Sequence, residues 1–213
     1  MKVFIAGATG AIGRPLISRL VGAGHEVVGM TSSERGLKTI KEKGAEGVVA
    51  NALDAQAVQV AMNKVRPDAV IEELTSLPER YTPGEMRAAG ARRYIVQSTG
   101  FFYAPGSGLA TEAEPLALDA SPAVSASVRT YTQIEQRVLG SPDLEGVALR
   151  YGFFLRIRDM VYSRWRRGQP GARSQIGNRR FRAGCLVMGA RRGCCSSDGS
   201  SARMYSRCLQ HRR

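Results

Sequence analysis

Short apolar runs that stop at glycine or polar turns alternate along the chain with segments whose apolar residues recur at helical spacing. Lys2 to Ala6 (KVFIA) reads as a strand, and Ile12, Leu16, Ile17 and Leu20 form one face of a helix that ends in GAGH. HEVVGM is a second strand, and SERGLKTIKEKGA is a helix with Leu37 and Ile40 inward. EGVVA is a third strand, and DAQAVQVAMNKV is a helix opening at Asp54, whose carboxylate fits an N-cap. PDAVIEEL gives a fourth strand, RRYIVQSTG a fifth, residues 124–139 a helix and EGVALRYGFF a sixth strand. Strands alternating with helices predict an α/β fold, a Rossmann-type doubly wound parallel sheet whose ligand lies at the carboxyl ends of the strands.

The chain has 213 residues, 43% of them hydrophobic, enough for one domain with a sizeable core. Its apolar runs fall far short of the roughly 18 residues that a membrane span needs. MKVFIAGATG breaks into glycines too early for a signal peptide, so the cytoplasm is the expected compartment and no membrane the expected partner.

A net charge of +13 suggests nucleic acid until its distribution is read. Residues 151–213 hold 15 arginines, no lysine and only Asp159 and Asp198, so the whole excess sits there and the preceding residues are neutral. All four cysteines, Cys185, Cys194, Cys195 and Cys208, are in the same stretch. The chain therefore divides into a folded domain over 1–155 and a basic, disordered or irregular tail over 156–213.

The loop after the first strand reads Gly7-Ala8-Thr9-Gly10-Ala11-Ile12-Gly13. Gly7 permits a tight turn, Gly10 lets backbone N–H groups approach a pyrophosphate, and Gly13 lets the helix pack closely on the strand. With Thr9, Ala11 and Ile12 between them, these residues form a dinucleotide cradle at the first strand-to-helix junction.

GATGAIG resembles the cofactor loop of the extended and atypical short-chain dehydrogenase/reductase superfamily, the NAD(P)-dependent epimerase/dehydratase group. The likeness continues through VIEELTSLP, YIVQSTGFFYAPG, TEAEPL and LEGVALRYGFF, and so covers residues 1–155. An NAD-selective site of this type carries an acid at the end of the second strand, where this chain has Met30-Thr31-Ser32-Ser33. NADP is therefore favoured over NAD, with Ser32, Ser33, Arg35 and Arg14 near its 2′-phosphate. The plain alternative for both arginines is solvated surface. The resemblance also places Asn51 and Ala52 against the adenine, and Leu74, Thr75 and Ser76 along the cofactor's ribose.

Redox members of the superfamily use a Tyr as acid and base, a Lys four residues later, and a Ser or Thr that orients the substrate oxygen. Thr99, with Ser98 beside it, takes the hydroxyl position. In SASVRTYTQIEQRVL the tyrosine is Tyr131, and Glu135 stands where the lysine belongs. Matching Glu135 instead to an acid that often follows the family motif puts Ser127 at the Tyr position and Tyr131 at the Lys position. Neither register supplies the pair, and Tyr131 reads as a core-edge aromatic or a residual acid/base. The crossover from Leu77 to Ala91 is close to the minimum for parallel strands. Its helix, TPGEMRAAGA, opens at Pro83 and makes about two turns, so a partly exposed apolar patch is expected beneath it.

After LRYGFF the likeness stops. Three readings of the tail stand side by side: a nucleic-acid arm built on Arg clusters with Trp165 and Phe181, a segment resembling an out-of-frame translation of a GC-rich gene, and a divergent C-terminal lobe. Cys194, Cys195, Cys208 and His211 lack zinc-ligand spacing, and no metal site is expected. The functional expectation is a dinucleotide-binding oxidoreductase or epimerase/dehydratase acting on a small carbonyl or nucleotide-sugar-like substrate. A non-catalytic NAD(P)-binding regulator is the rival, and nucleic acid is not the expected partner.

Overall fold

The computed structural model describes residues 1–74, 82–106, 111–112, 114–154 and 185–190. Strand β1 (Lys2–Ala6) leads to helix α1 (Gly13–Gly22), β2 (Glu26–Thr31) to α2 (Glu34–Lys41), and β3 (Glu46–Val49) to α3 (Ala55–Val65). Next come β4 (Ala69–Glu72), α4 (Pro83–Ala88), β5 (Arg93–Thr99), a 3-10 turn (Gly100–Phe102), α5 (Pro122–Leu139) and β6 (Glu145–Phe154). Every strand and helix expected over residues 1–154 is present, with ends displaced by a few residues; α5 begins at Pro122 rather than at 124.

The strands lie in the order β3-β2-β1-β4-β5-β6-β7, where β7 is Cys185–Ala190. β1 to β6 are parallel, and β7 pairs antiparallel with β6 at the sheet edge. Six residues of the segment expected to be irregular thus form a strand. The rest of 156–213, with its arginine clusters, Trp165, Phe181, Cys194, Cys195, Cys208 and His211, lies outside the described residues.

The winding direction reverses between β1 and β4, which is where a doubly wound sheet opens its ligand crevice. Apolar layers cover both faces, which is why the strands read as continuous apolar runs. On one face Ile5, Ile71, Ile95 and Leu149 meet Leu16, Ile17 and Leu20 of α1 and Ile40 of α2. On the other, Phe4, Val70 and Val96 meet Val58 and Met62 of α3, Met86 of α4, and Ile134 and Val138 of α5. Burying one such aliphatic side chain contributes roughly 1.5–3 kcal/mol.

Helix starts follow from local chemistry. Asp54 accepts from the Ala57 amide at 2.9 Å, the N-cap expected from the sequence, and Ser33 accepts from the Gly36 amide at 3.2 Å. Thr82 and Glu85 exchange side-chain-to-backbone hydrogen bonds as a capping box, with Pro83 in the first turn, and this lets six residues hold as a helix. Among the described residues no apolar patch is exposed beneath α4: β4 and β5 are buried along their whole lengths. Met86, Ala89 and Ala91 close that face together with Ile134 and Val138, so a short helix suffices because α5 shares the cover.

Candidate dinucleotide site

The glycine turn is built on the neighbouring strand. Gly7 has φ +87°, and a Cβ there would stand 2.7 Å from the Glu73 carbonyl oxygen. A Cβ on Gly13 would stand 2.3 Å from the Gly7 carbonyl oxygen, so the start of α1 rests directly on the turn. Gly10 differs. Its amide donates to the Gly7 carbonyl at 3.0 Å, and a Cβ would meet only that oxygen, at 3.1 Å. Gly10 and Ala11 are exposed, and Thr9 and Ile12 are half-buried. No side chain caps α1, and its first turn carries no acid. An open, uncapped helix start with backbone donors and no opposing charge fits an anionic pyrophosphate.

At the end of β2, Thr31 is buried; its hydroxyl oxygen accepts from the Ser33 amide at 3.4 Å and lies against Gly36. Ser32 and Arg35 are exposed beside it, and Glu34 lies in the first turn of α2. Arg14 is exposed at the other side of the cradle, its Nε 3.4 Å from the Gly10 carbonyl. Beyond β3, the Asn51 side-chain oxygen accepts from the Leu53 amide at 3.0 Å, and Ala52 packs on the core. Beyond β4, the Leu74 carbonyl accepts from Gln97 Nε2 at 2.7 Å. Thr75 and Ser76 lie outside the described residues.

The two candidate hydroxyls part company, because adjacent residues on a strand point to opposite faces. Thr99 Oγ1 accepts from the Phe101 amide at 3.2 Å, capping the 3-10 turn and leaving its proton available. Ser98 donates to Glu135 Oε1 at 2.5 Å and so belongs to the interior network. Glu135 also accepts from Arg150 Nε at 2.9 Å and from a terminal nitrogen of the same guanidinium at 2.7 Å. Arg150 reaches the Glu114 carbonyl at 3.2 Å, and its guanidinium lies 4.8 Å from the centre of the Tyr103 ring. The Glu135 hydrogen bond holds Arg150 above its ordinary pKa against the opposing effect of burial.

Glu135 thus joins α5 to Ser98 of β5 and Arg150 of β6. Ser127, one turn before Tyr131, is exposed. Tyr131 is half-buried against the core, with its ring 5.9 Å from that of Phe102, in keeping with a core-edge aromatic.

Glu72 and Glu73, at the end of β4, were not singled out by the sequence reading. Tyr94 donates to Glu72 inside the core, and Tyr151 donates to Glu73 Oε1 at 2.8 Å. The available signal was VIEEL itself, where two acids close an otherwise apolar strand. Among the described residues no group of His, Cys, Asp and Glu could hold a metal ion, and no helix is long and apolar enough to cross a membrane.

A family described as NAD(P)H-binding matches residues 7–176, and the chain belongs to it. A 3-diazoavenalumate denitrifying reductase of a Streptomyces species is 38% identical over 174 residues, 71% of this chain and 56% of that protein. Among solved structures, a UDP-glucose-4-epimerase from Stenotrophomonas maltophila with bound NAD and formylated UDP-arabinopyranose superposes with a TM-score of 0.56 at 20% identity, covering 71% of this chain and 53% of that one. A Thermus thermophilus UDP-glucose 4-epimerase in complex with NAD gives 0.53 at 21%, covering 71% and 55%. The chain spans about half the length of these relatives. It is an NAD(P)H-binding domain, and its Rossmann-type sheet has the fold of these epimerases.

Proposed function

We propose that this chain binds NADPH in preference to NADH and serves the reduction of a small carbonyl-type substrate. The observation that carries the reading is the end of β2, where Thr31 is buried against Gly36 and Ser32, Ser33 and Arg35 stand exposed, with exposed Glu34 among them. The 2′-phosphate would meet Ser32 and Arg35, with Arg14 across the cradle. The pyrophosphate would lie on the Thr9–Gly13 backbone, the adenine near Asn51 and Ala52, and the ribose beside Leu74 and Thr75. The relative's name, a reductase, supports the direction of the chemistry. Thr99, whose oxygen accepts from the Phe101 amide, would orient the substrate oxygen with its own proton, and Tyr131 is the second candidate. When bound, the dinucleotide supplies hydride.

The test is consumption of NADPH and of NADH by the full chain across a panel of aldehydes, ketones and quinones. The reading expects turnover with NADPH exceeding that with NADH. Equal use of both cofactors would remove the assignment to Arg14 and Arg35. A second reading, a non-catalytic dinucleotide-binding regulator, is favoured by the absence of the α5 lysine. It expects NADPH binding with no turnover on any substrate.

A further inference from the structure

Arg150 of β6 joins three parts of the chain that meet at the carboxyl end of β5. It pairs with Glu135 of α5, and that carboxylate also accepts from Ser98, the register partner of Arg150 on β5. Its other terminal nitrogen donates to the Glu114 carbonyl at 3.2 Å, and its guanidinium lies 4.8 Å from the centre of the Tyr103 ring. Tyr103 and Glu114 lie where the chain leaves the 3-10 turn and where it comes back. There Tyr103 forms an antiparallel bridge with Leu116, the Ala104 amide donates to the Pro115 carbonyl at 2.9 Å, and the Ala117 amide donates to the Phe102 carbonyl at 2.7 Å. The same 3-10 turn holds Thr99, because the Phe101 amide donates to Thr99 Oγ1 at 3.2 Å.

A buried ion pair is a costly way to fasten a helix to a sheet, since two apolar side chains of similar size often serve as well. What an apolar pair cannot supply is a donor for the Glu114 carbonyl and a cation for the face of the Tyr103 ring. A guanidinium supplies both at once: its planar fork meets Glu135 with two nitrogens while the third reaches away from it.

We propose that Arg150 is a positioning residue for the reduction, fixing through Tyr103 and Glu114 the turn that sets Thr99 Oγ1 toward the substrate oxygen; this rests on the reading of the chain as an NADPH-linked carbonyl reductase. Arg150 acts through the backbone of residues 100–104 and 114–117, not on the substrate or the cofactor. Its loss leaves the dinucleotide cradle at Gly7–Gly13 in place and lets the turn, and Thr99 with it, drift.

The experiment compares full-chain wild type, Arg150→Lys and the double change Glu135→Met with Arg150→Met. The readouts are melting temperature, NADPH affinity, kcat and KM with phenanthrenequinone and simple aldehydes and ketones, and hydrogen exchange at the Ala104 and Ala117 amides. In the double variant the buried charges are gone together, so its melting temperature stays near that of wild type, and its NADPH affinity stays within about twofold. Its kcat/KM falls about a hundredfold, the scale of a misplacement of about 1 Å, and the loss lies mainly in kcat because the substrate still binds but is badly oriented. The two amides exchange about tenfold faster, the scale of a lost hydrogen bond to a charged group. Arg150→Lys keeps a cation for Glu135 without the fork, and shows the same kinetic loss; it decides the matter should the double variant fail to fold. Wild-type kcat/KM in a folded variant would overturn the positioning role, whether or not the amides exchange faster, and would leave the reductase reading intact. Wild type that binds NADPH but reduces nothing would overturn that reading and the positioning role with it, and unchanged exchange at Ala104 and Ala117 would separately overturn the hold of Arg150 on the turn.

Discussion

Glu135 of α5 and Arg150 of β6 form an ion pair 2.7 Å long whose side chains are each 8% exposed. It ties α5 to the carboxyl ends of β5 and β6, because Ser98 donates to the same carboxylate. Cutting a buried pair on one side leaves an uncompensated charge, a loss of about 3–5 kcal/mol, whereas apolar replacement of both partners is often near neutral. Arg150→Met should therefore lower the urea midpoint far more than the double change Glu135→Met with Arg150→Met. Similar losses in both would show that the pair is worth its Coulombic attraction and not merely its mutual compensation.

Gly13→Ala should destabilise the domain outright, because the new Cβ would stand 2.3 Å from the Gly7 carbonyl oxygen and 2.6 Å from that of Ala8. Backbone oxygens cannot swing aside as a flexible side chain would, so the cost falls on the packing of α1, on the scale of overpacking, about 1–3 kcal/mol. Thermal melting followed by circular dichroism reads this directly, and an unchanged midpoint would refute the close approach of α1 to the turn.

Arg35→Ala and Arg14→Ala should each weaken NADPH by about tenfold, the scale of a lost charge-assisted contact to phosphate, and leave NADH nearly unchanged. Both side chains are exposed, so the melting temperature should not move. A titration in which the two cofactors lose affinity equally would assign these arginines to solvated surface.

His25 gives a pH dependence of stability. Its buried ring nitrogens have no hydrogen-bond partner among the described residues, and burial, then the charge of the N-terminus, push its pKa below the ordinary value. The folded state therefore binds fewer protons than the unfolded one, so this contribution is complete above about pH 6.5 and is lost as the pH falls below it. His25→Phe should flatten the acid side of the melting curve against pH. A wild-type slope in the variant would place the acid loss elsewhere.

The alternation of strand and helix was readable because parallel strands covered on both faces must be apolar throughout, and KVFIA, AVIE and RRYIVQST are bounded by turns. Asp54 as a cap and the tight turn at Gly7 with close packing at Gly13 were readable for the same reason: local backbone chemistry admits few residue types at such positions. What depends on contacts between distant segments was not. Nothing in SASVRTYTQIEQRVL says that Glu135 faces Arg150 fifteen residues on. The cover of β4 and β5 was misjudged because the length of α4 was read alone, without the share contributed by Ile134 and Val138. Tyr151 and Glu73 lie 78 residues apart and meet only once β5 has paired between them.

The most direct measurement is a calorimetric titration of NADPH into the full chain and into Gly10→Val. Among the described residues a Cβ at this position would meet only the Gly7 carbonyl oxygen, at 3.1 Å, so this variant should keep its fold while closing the cradle to phosphate. The account predicts saturable one-site binding by the wild type, tighter for NADPH than for NADH, and its loss in a variant whose circular dichroism is unchanged. No saturable binding by the wild type, or undiminished binding by Gly10→Val, would contradict it.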